Sequence, residues 1–388
     1  MMSNSYHNGA ATASDNTFRP GLEGVVAAET TLSHVDGQQG VLIIGGYPLE
    51  ELAPNVTFEE VVHLLWSGAL PTADVLATFR QQLAAQRTLP AATLALLRAA
   101  AQAQRPAMDA LRMAAGTLDL DGHEGEASHA EATRLLARLP TIVAAYWRYR
   151  QGLEPVEPDP ALGHAANYLY MLTGQRADVA QARGLETYLN TVIDHGLNAS
   201  TFAARVIIAT GTDLTSALVG GLGALKGPLH GGAPGPALDM VFEIGELERA
   251  EPYLRAKLER GERLMGFGHR IYKVRDPRAE VLSQAAAQMY QAGGDMALYT
   301  LAKGVEKLAV ALLAEYKPGR NLQTNVEFYT ALLLHGLGLE TDLFTPTFAI
   351  SRAAGWLAHC FEQQATGRLI RPQSRYIGPI RSLTLQPA

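Results

Sequence analysis

Phe58, Val61, Val62, Leu65, Trp66 and Ala69 fall on one face of a helix, and the same 3.6-residue apolar period returns along most of the chain. A chain patterned this way must bury one apolar helical face after another, so it is expected to be all-α. Glu59 and Glu60 stand in the first turn of that helix, where the helix dipole favours acids. Further helices are predicted near 73–86, 91–103, 106–118, 130–151, 161–174, 178–193, 199–225, 236–258, 276–293, 299–316, 325–338 and 342–365, broken by proline and glycine. No parallel-sheet pattern interrupts them. The one β feature expected is a small N-terminal hairpin around His34–Gly37 and Val41–Ile44, after a loose polar tail over residues 1–18.

A chain of 388 residues has room for about two domains of roughly 150 residues. Gly220, Gly221, Gly223 and Ala224 lower helix propensity but let a neighbouring backbone come close, which marks a central helix. The stretch QGLEPVEPDP at 151–160 reads as a surface connection, and the segment from Gly227 to about Thr324, bracketed by Gly-rich loops, reads as a second domain. With a formal charge of −6, nothing draws the whole chain to nucleic acid or anionic lipid, so its basic residues act locally. Cys360 is the only cysteine, which precludes an intramolecular disulfide and suits a reducing, cytoplasmic compartment. The polar start has no signal-peptide pattern and only Arg19 as a cation, and no apolar run reaches membrane-spanning length.

Four segments can carry chemistry. In Lys226-Gly227-Pro228-Leu229-His230-Gly231-Gly232-Ala233 a histidine sits among residues that stop a helix and free backbone N–H groups for a ligand. Met265-Gly266-Phe267-Gly268-His269-Arg270-Ile271-Tyr272-Lys273 repeats the device, and Asp276-Pro277-Arg278 follows, with Asp276 capping a helix that Pro277 starts. Asn325-Val326-Glu327-Phe328-Tyr329 sets a carboxylate at a helix start among apolar neighbours. The dipole favours its ionised form, and burial makes it a stronger base. In the apolar run Phe344–His359, Arg352 needs a carboxylate partner from the protein or a ligand, and Arg371 follows after a short break. Each segment alone also fits a structural role: a turn, a solvated basic loop, a first-turn acid, a salt bridge.

His195, in Asp194-His195-Gly196, precedes a predicted helix and serves equally well as a ligand contact or a helix-entry residue. The cluster His123-Glu124-Gly125-Glu126-Ala127-Ser128-His129 lacks zinc spacing and reads as solvated surface, so no metal site is expected. Gly221-Leu222-Gly223 has no strand before it and is not a dinucleotide fingerprint.

Taken in order, these segments resemble the citrate synthase family, together with Gly21–Thr30, Phe58-Glu59-Glu60-Val61, Pro106–Asp109 and Tyr168–Gly174. The resemblance implies a two-domain helical homodimer. Residues 1–229 and 335–388 would form a large domain, and residues 230–334 a small domain that closes as a lid. It implies oxaloacetate and an acyl-CoA as ligands, with acetyl-CoA as co-substrate and no tightly bound cofactor. Glu327 falls on the family's catalytic base, His230 on the donor to the thioester oxygen, and His269 on the group that polarises the ketone. Arg278, Arg352 and His195 fall on oxaloacetate contacts, Arg371 on a contact from the partner subunit, and Lys273 on a CoA-binding element.

One departure matters. The family's usual base is an aspartate, and Glu327 is one methylene longer, which resembles a Glu-bearing subgroup. A shift of about 1 Å can cost roughly a hundredfold in rate unless the backbone compensates. Two alternatives stay open. One is 2-methylcitrate synthesis from propionyl-CoA, because one methylene gives only about 1–3 kcal/mol of discrimination. The other is a non-catalytic CoA- or dicarboxylate-binding homologue.

Overall fold

The computed structural model describes residues 18–121, 128–230, 235–293 and 295–381. The expected polar tail, apart from Phe18, and most of the His123–His129 loop lie outside the described residues. Met1–Thr30 and Thr31–Ala388 form two separate compact units. In the described part of the first, a 3-10 turn at Pro20–Leu22 turns on Gly21 at φ +63°.

The second unit is helical, with sixteen α-helices among the described residues and one three-stranded antiparallel sheet. The expected hairpin is present: β1 (Ser33–Asp36) pairs with β2 (Val41–Ile44), Ser33 opposite Ile44 and Asp36 opposite Val41. A third strand, β3 (Tyr47–Pro48), extends it. Asp36 Oδ1 accepts from the N–H groups of Gln38 and Gln39 and so shapes the turn. A Cβ on Gly37 would stand 2.3 Å from the carbonyl oxygen of Ile271, so only glycine allows that loop to dock on the turn.

Phe58–Ser67 begins with the predicted acids, and Thr57 and Glu60 form a reciprocal capping box. Two predicted helices are divided. The span 199–225 forms Ala199–Ile208 and Leu214–Leu225, because Gly211 takes φ +85° and Asp213 caps the second by accepting from Ser216 N–H at 2.6 Å. The span 236–258 divides at Gly245 (φ +71°) into Gly235–Ile244 and Leu247–Glu259. Uninterrupted apolar periodicity conceals such breaks when one left-handed residue is enough to turn the chain.

The core is organised around His129–Arg150, buried throughout from Glu131 to Tyr146, and Phe344–Thr366, buried throughout from Ala349 to Cys360. Each large apolar side chain buried there contributes about 1.5–3 kcal/mol. The glycines of Leu214–Leu225 admit side chains, where a backbone was expected. A Cβ on Gly221 would meet the Trp356 ring at 2.9 Å, and one on Gly220 would meet Ile207 at 2.0 Å. The close backbone approach occurs at Gly355, whose Cβ would stand 2.3 Å from Ile193 O. Cys360 is buried, and burial pushes its thiol up to about 12. No helix among the described residues is long and apolar enough to cross a membrane.

Candidate active site

One wall of the site is a zipper between Phe344–Thr366 and the segment 189–205. Residues four apart on a helix share a face, so Ser351, Gly355, His359 and Gln363 align along this seam, with Arg352 and Trp356 beside them. Ser351 Oγ donates to Leu189 O at 2.5 Å, Arg352 Nε to Val192 O at 2.7 Å, and Trp356 Nε1 to Ser200 Oγ at 3.1 Å. His359 joins Asp194 through Nε2 (3.2 Å) and Arg205 through Nδ1 (2.9 Å), while Arg205 Nε donates to Gln363 at 3.0 Å. Arginine can only donate, so His359 Nδ1 accepts and its proton sits on Nε2, directed at Asp194. The zipper fixes the backbone that carries His195, directly after Asp194, and Ser200.

A second wall pairs the His269 loop with the strand-like lead into Val326–Gly336. Phe267 and Thr324 form an antiparallel bridge, Gly268 N–H donates to Gln323 O (2.7 Å), and Asn325 N–H donates to Gly266 O (3.0 Å). Gly266 and Gly268 take φ +86° and +84°, which L side chains rarely adopt. Asn325 ties this wall together, because its Nδ2 donates to Gly268 O (2.9 Å) while its Oδ1 accepts from Glu327 N–H (2.9 Å). Asp276 is fully buried and accepts from the N–H groups of Arg278 (3.0 Å) and Val326 (3.2 Å), so it caps two helices. It also grips Arg278 through Nε (3.0 Å) and Nη2 (2.8 Å). Burial pulls the Arg278 guanidinium down, but Asp276 more than offsets this and keeps it above its ordinary value.

The imidazoles are neutral. His269 Nδ1 accepts from the N–H groups of Ile271 and Tyr272, both at 3.1 Å, which leaves the ring proton on Nε2. Burial, and then the charge of Arg278, lowers His269 to about 4. Its Nε2 faces Arg278 Nη2 at 3.3 Å. Two N–H donors thus converge there, an arrangement that an acceptor-rich ligand resolves. His195 lies 6.0 Å from His269 between ring centroids, and its Nε2 meets Tyr272 OH at 3.1 Å. Burial lowers it well below its ordinary value, reinforced by Arg278 and Arg352. His230 Nε2 accepts from Ser200 N–H (3.2 Å) and lies 2.7 Å from Ser200 Oγ, which leaves Nδ1 to carry the proton. Burial, followed by Arg352, lowers it too.

His195, His269 and Arg278 are therefore in direct company. Arg352 and Glu327 act on the same group: Arg352 through its charge on His195 and His230, Glu327 through its interaction with Arg278. Burial raises the Glu327 carboxyl, partly opposed by Arg278. Arg352 is 2% exposed, rests 4.6 Å from the Phe348 ring centroid, and is lowered to about 10 by burial. A buried cation whose fixed partner is a main-chain carbonyl is suited to meet an anion. Lys273 is exposed, with Nζ on Arg270 O (3.0 Å), and its charge adds to the lowering of His269, whereas Arg371 lies on an exposed segment without regular secondary structure and no contact among the described residues draws it to the cluster. Tyr272, Ser200, Asp276, Asn325 and His359 also shape the site. All but Ser200 stood inside the four segments, and their proximity to candidate ligands was the available signal. Among the described residues no group of three or more His, Cys, Asp or Glu could hold a metal ion.

The pattern described as "Citrate synthase, C-terminal domain" matches residues 21–373. Citrate synthase 2 of Bacillus subtilis is 42% identical over 368 residues, covering 94% of this chain and 96% of that protein. The 2-methylcitrate synthase of Mycobacterium tuberculosis is 40% identical over 366 residues, covering 93% and 91%. A solved citrate synthase from Thermoplasma acidophilum, described as a ternary complex with carboxymethyl coenzyme A and oxaloacetate, superposes with a TM-score of 0.83. It is 28% identical and covers 94% of this chain and 97% of that one. These matches indicate an enzyme of the acyltransferase class. With matches spanning nearly the whole chain, the protein belongs to the citrate synthase family.

Proposed function

We propose that this protein condenses acetyl-CoA with oxaloacetate and hydrolyses the product thioester, releasing citrate and CoA. The observation that carries this reading is the convergence of His269 Nε2–H and Arg278 Nη2 at 3.3 Å, with Glu327, held basic by burial, on the same wall. Oxaloacetate brings a ketone and two carboxylates, the acceptors such a site lacks. Arg278 and Arg352 bind its carboxylates, and His195 adds a hydrogen bond.

Glu327 removes a methyl proton from acetyl-CoA while His230 Nδ1–H donates to the thioester oxygen, so the enolate charge forms against a preorganised donor. The new nucleophilic carbon attacks the oxaloacetate ketone, and His269 Nε2–H delivers its proton to the developing alkoxide. Water then cleaves citryl-CoA. Glu327 is the base in place of the more usual aspartate.

Residues 230–334 act as a lid over this chemistry, and 1–229 with 335–388 form the body. The docking of loop 269–273 on the Gly37 turn, where Lys273 N–H donates to Gly37 O at 2.8 Å, supports a closed position that excludes water. Lys273 and the Gly-rich loops hold CoA. The working unit is a homodimer in which Arg371 enters the partner's pocket. In support, the segment around it lacks regular secondary structure and exposes Leu369, Tyr376, Ile377 and Ile380.

A second reading has its own support: the Mycobacterium tuberculosis 2-methylcitrate synthase is nearly as similar as the citrate synthase of Bacillus subtilis. Thiol release from acetyl-CoA and from propionyl-CoA, each with oxaloacetate, decides between them. We expect higher kcat/KM with acetyl-CoA. Preference for propionyl-CoA would reverse the assignment, and no thiol release with either would leave a binding protein without turnover.

A further inference from the structure

We infer that Ser33 is a positioning residue for the proposed oxaloacetate site, its hydroxyl locking the turn that carries His195. The inference deepens the proposed function and rests on it. Ser33 opens β1, outside all four segments that stand out in the sequence. Its Oγ donates to Asp194 Oδ2 at 2.5 Å and accepts from Gly196 N–H at 3.0 Å. A carboxylate only accepts and an amide N–H only donates, so both roles of this single hydroxyl are fixed. They fall on the residues immediately before and after His195. Burial works to raise the fully buried Asp194, but His359, Arg352 and Ser33 outweigh it and hold the carboxyl below the ordinary carboxylate range, so it is the ionised acceptor this bond needs.

The clamp fixes main chain as well as side chain. Gly196 takes φ +61°, and its N–H lies in one peptide plane with the His195 carbonyl. With Asp194 held on the other side, the backbone of His195 is pinned at both ends and the imidazole keeps only its side-chain torsions. The strand then carries this anchorage to the opposite wall. It pairs with β2, where Leu42 and Ile44 are fully buried, and four residues beyond Ser33 the carbonyl of Gly37 accepts from Lys273 N–H at 2.8 Å. Ser33 and Gly37 thus hold the two stretches whose side chains, His195 and Tyr272, meet at 3.1 Å. The hairpin is a strut that sets the spacing between them.

Ser33→Ala deletes the hydroxyl and leaves the Asp194 carboxylate and the Gly196 N–H without it. A hydrogen bond to a charged group corresponds to roughly a 10- to 150-fold change in binding, the most that displacing His195 from the ligand can cost. Oxaloacetate Kd by calorimetry and oxaloacetate KM should both rise at least about fivefold, with kcat at saturating oxaloacetate within about threefold of wild type and acetyl-CoA KM unchanged. Ser33→Thr restores the hydroxyl on a strand that suits a β-branched residue and should return both values to within about twofold of wild type. His34→Ala, at an exposed neighbour on the same strand, should leave both unchanged.

A double-mutant cycle separates positioning from general loosening. In a His195→Gln background Ser33→Ala should cost little more in oxaloacetate affinity, because it acts through that ring. An equal cost in both backgrounds would overturn the inference, as would oxaloacetate affinity within about twofold of wild type in Ser33→Ala. If Ser33→Ala does not fold, Ser33→Cys, whose thiol is a much weaker donor, carries the same expectation and the same refutation. Absence of thiol release by wild type with acetyl-CoA and propionyl-CoA would instead overturn the functional reading beneath it.

Discussion

Arg352→Met should uncouple ligand affinity from stability. The native guanidinium is 2% exposed, and its nearest fixed partner is the carbonyl of Val192, while Asp194 acts on it only at longer range. Removing it deletes a buried cation, whose desolvation costs several kcal/mol even after relaxation, and strands the Val192 carbonyl at about 1–3 kcal/mol. These terms nearly cancel, and methionine fills similar volume against Phe348, so ligand-free stability should change by no more than about 1 kcal/mol. For a chain of this length that is a shift of about 1–2 °C in Tm. Oxaloacetate, by contrast, loses a buried charge-assisted partner, typically about 2–5 kcal/mol, which corresponds to roughly 30- to 5,000-fold in Kd. Calorimetric titration with oxaloacetate and a thermal scan without ligand measure the two quantities. A Tm lowered by 10 °C or more with unchanged oxaloacetate affinity would refute the argument and make Arg352 a structural residue.

Glu327→Gln should lower condensation by about a thousandfold or more while oxaloacetate affinity stays within about threefold, and retained thiol release would remove Glu327 as base. Glu327→Asp should lose about 10- to 100-fold, since it withdraws the carboxylate by about 1 Å; an undiminished rate would show that the backbone tolerates either length. The acid limb of kcat/KM should titrate above the ordinary carboxylate range of about 4.3, because burial raises Glu327, and should move in Glu327→Asp. His164 and His269 are held neutral at about 3 and about 4, whereas the unfolded chain takes up their protons near 6.5. Stability should therefore fall as pH drops below 6.5 towards 4, by up to about 1.4 kcal/mol per pH unit for each group; a flat urea midpoint between pH 7 and 5 would contradict this. Gly37→Ala forces the turn off loop 269–273 and should lower kcat/KM about tenfold or more, as steady-state kinetics would show.

Helix content and most helix positions were legible because burial leaves a periodic apolar mark that local sequence carries by itself. Gly211 and Gly245 were less legible, since a left-handed turn at one glycine leaves the flanking periodicity intact. Among the chemical groups, His269, Arg278 and Glu327 stood out because glycines, prolines and charge depart from the surrounding helical pattern. What local pattern could not convey is pairing across long separations. Arg352 was expected to need a carboxylate, and its fixed partner is a main-chain carbonyl 160 residues away. Asp276 read as a helix cap and also proves to hold Arg278 and the helix of Glu327. Trp356 and Gly221 are mutually necessary, yet neither carries a local sign of the other. Resemblance supplied the roles of Lys273 and Arg371; Lys273 reaches the cluster through its charge on His269, and no contact among the described residues draws Arg371 there.

Asn325 spans the gap between Gly268 O and Glu327 N–H with a single side chain. In the proposed mechanism proton removal and proton delivery are thereby geared to one amide, so that a displacement of His269 would carry Glu327 with it. The acid and the base of the proposed reaction would enter and leave the site as one unit.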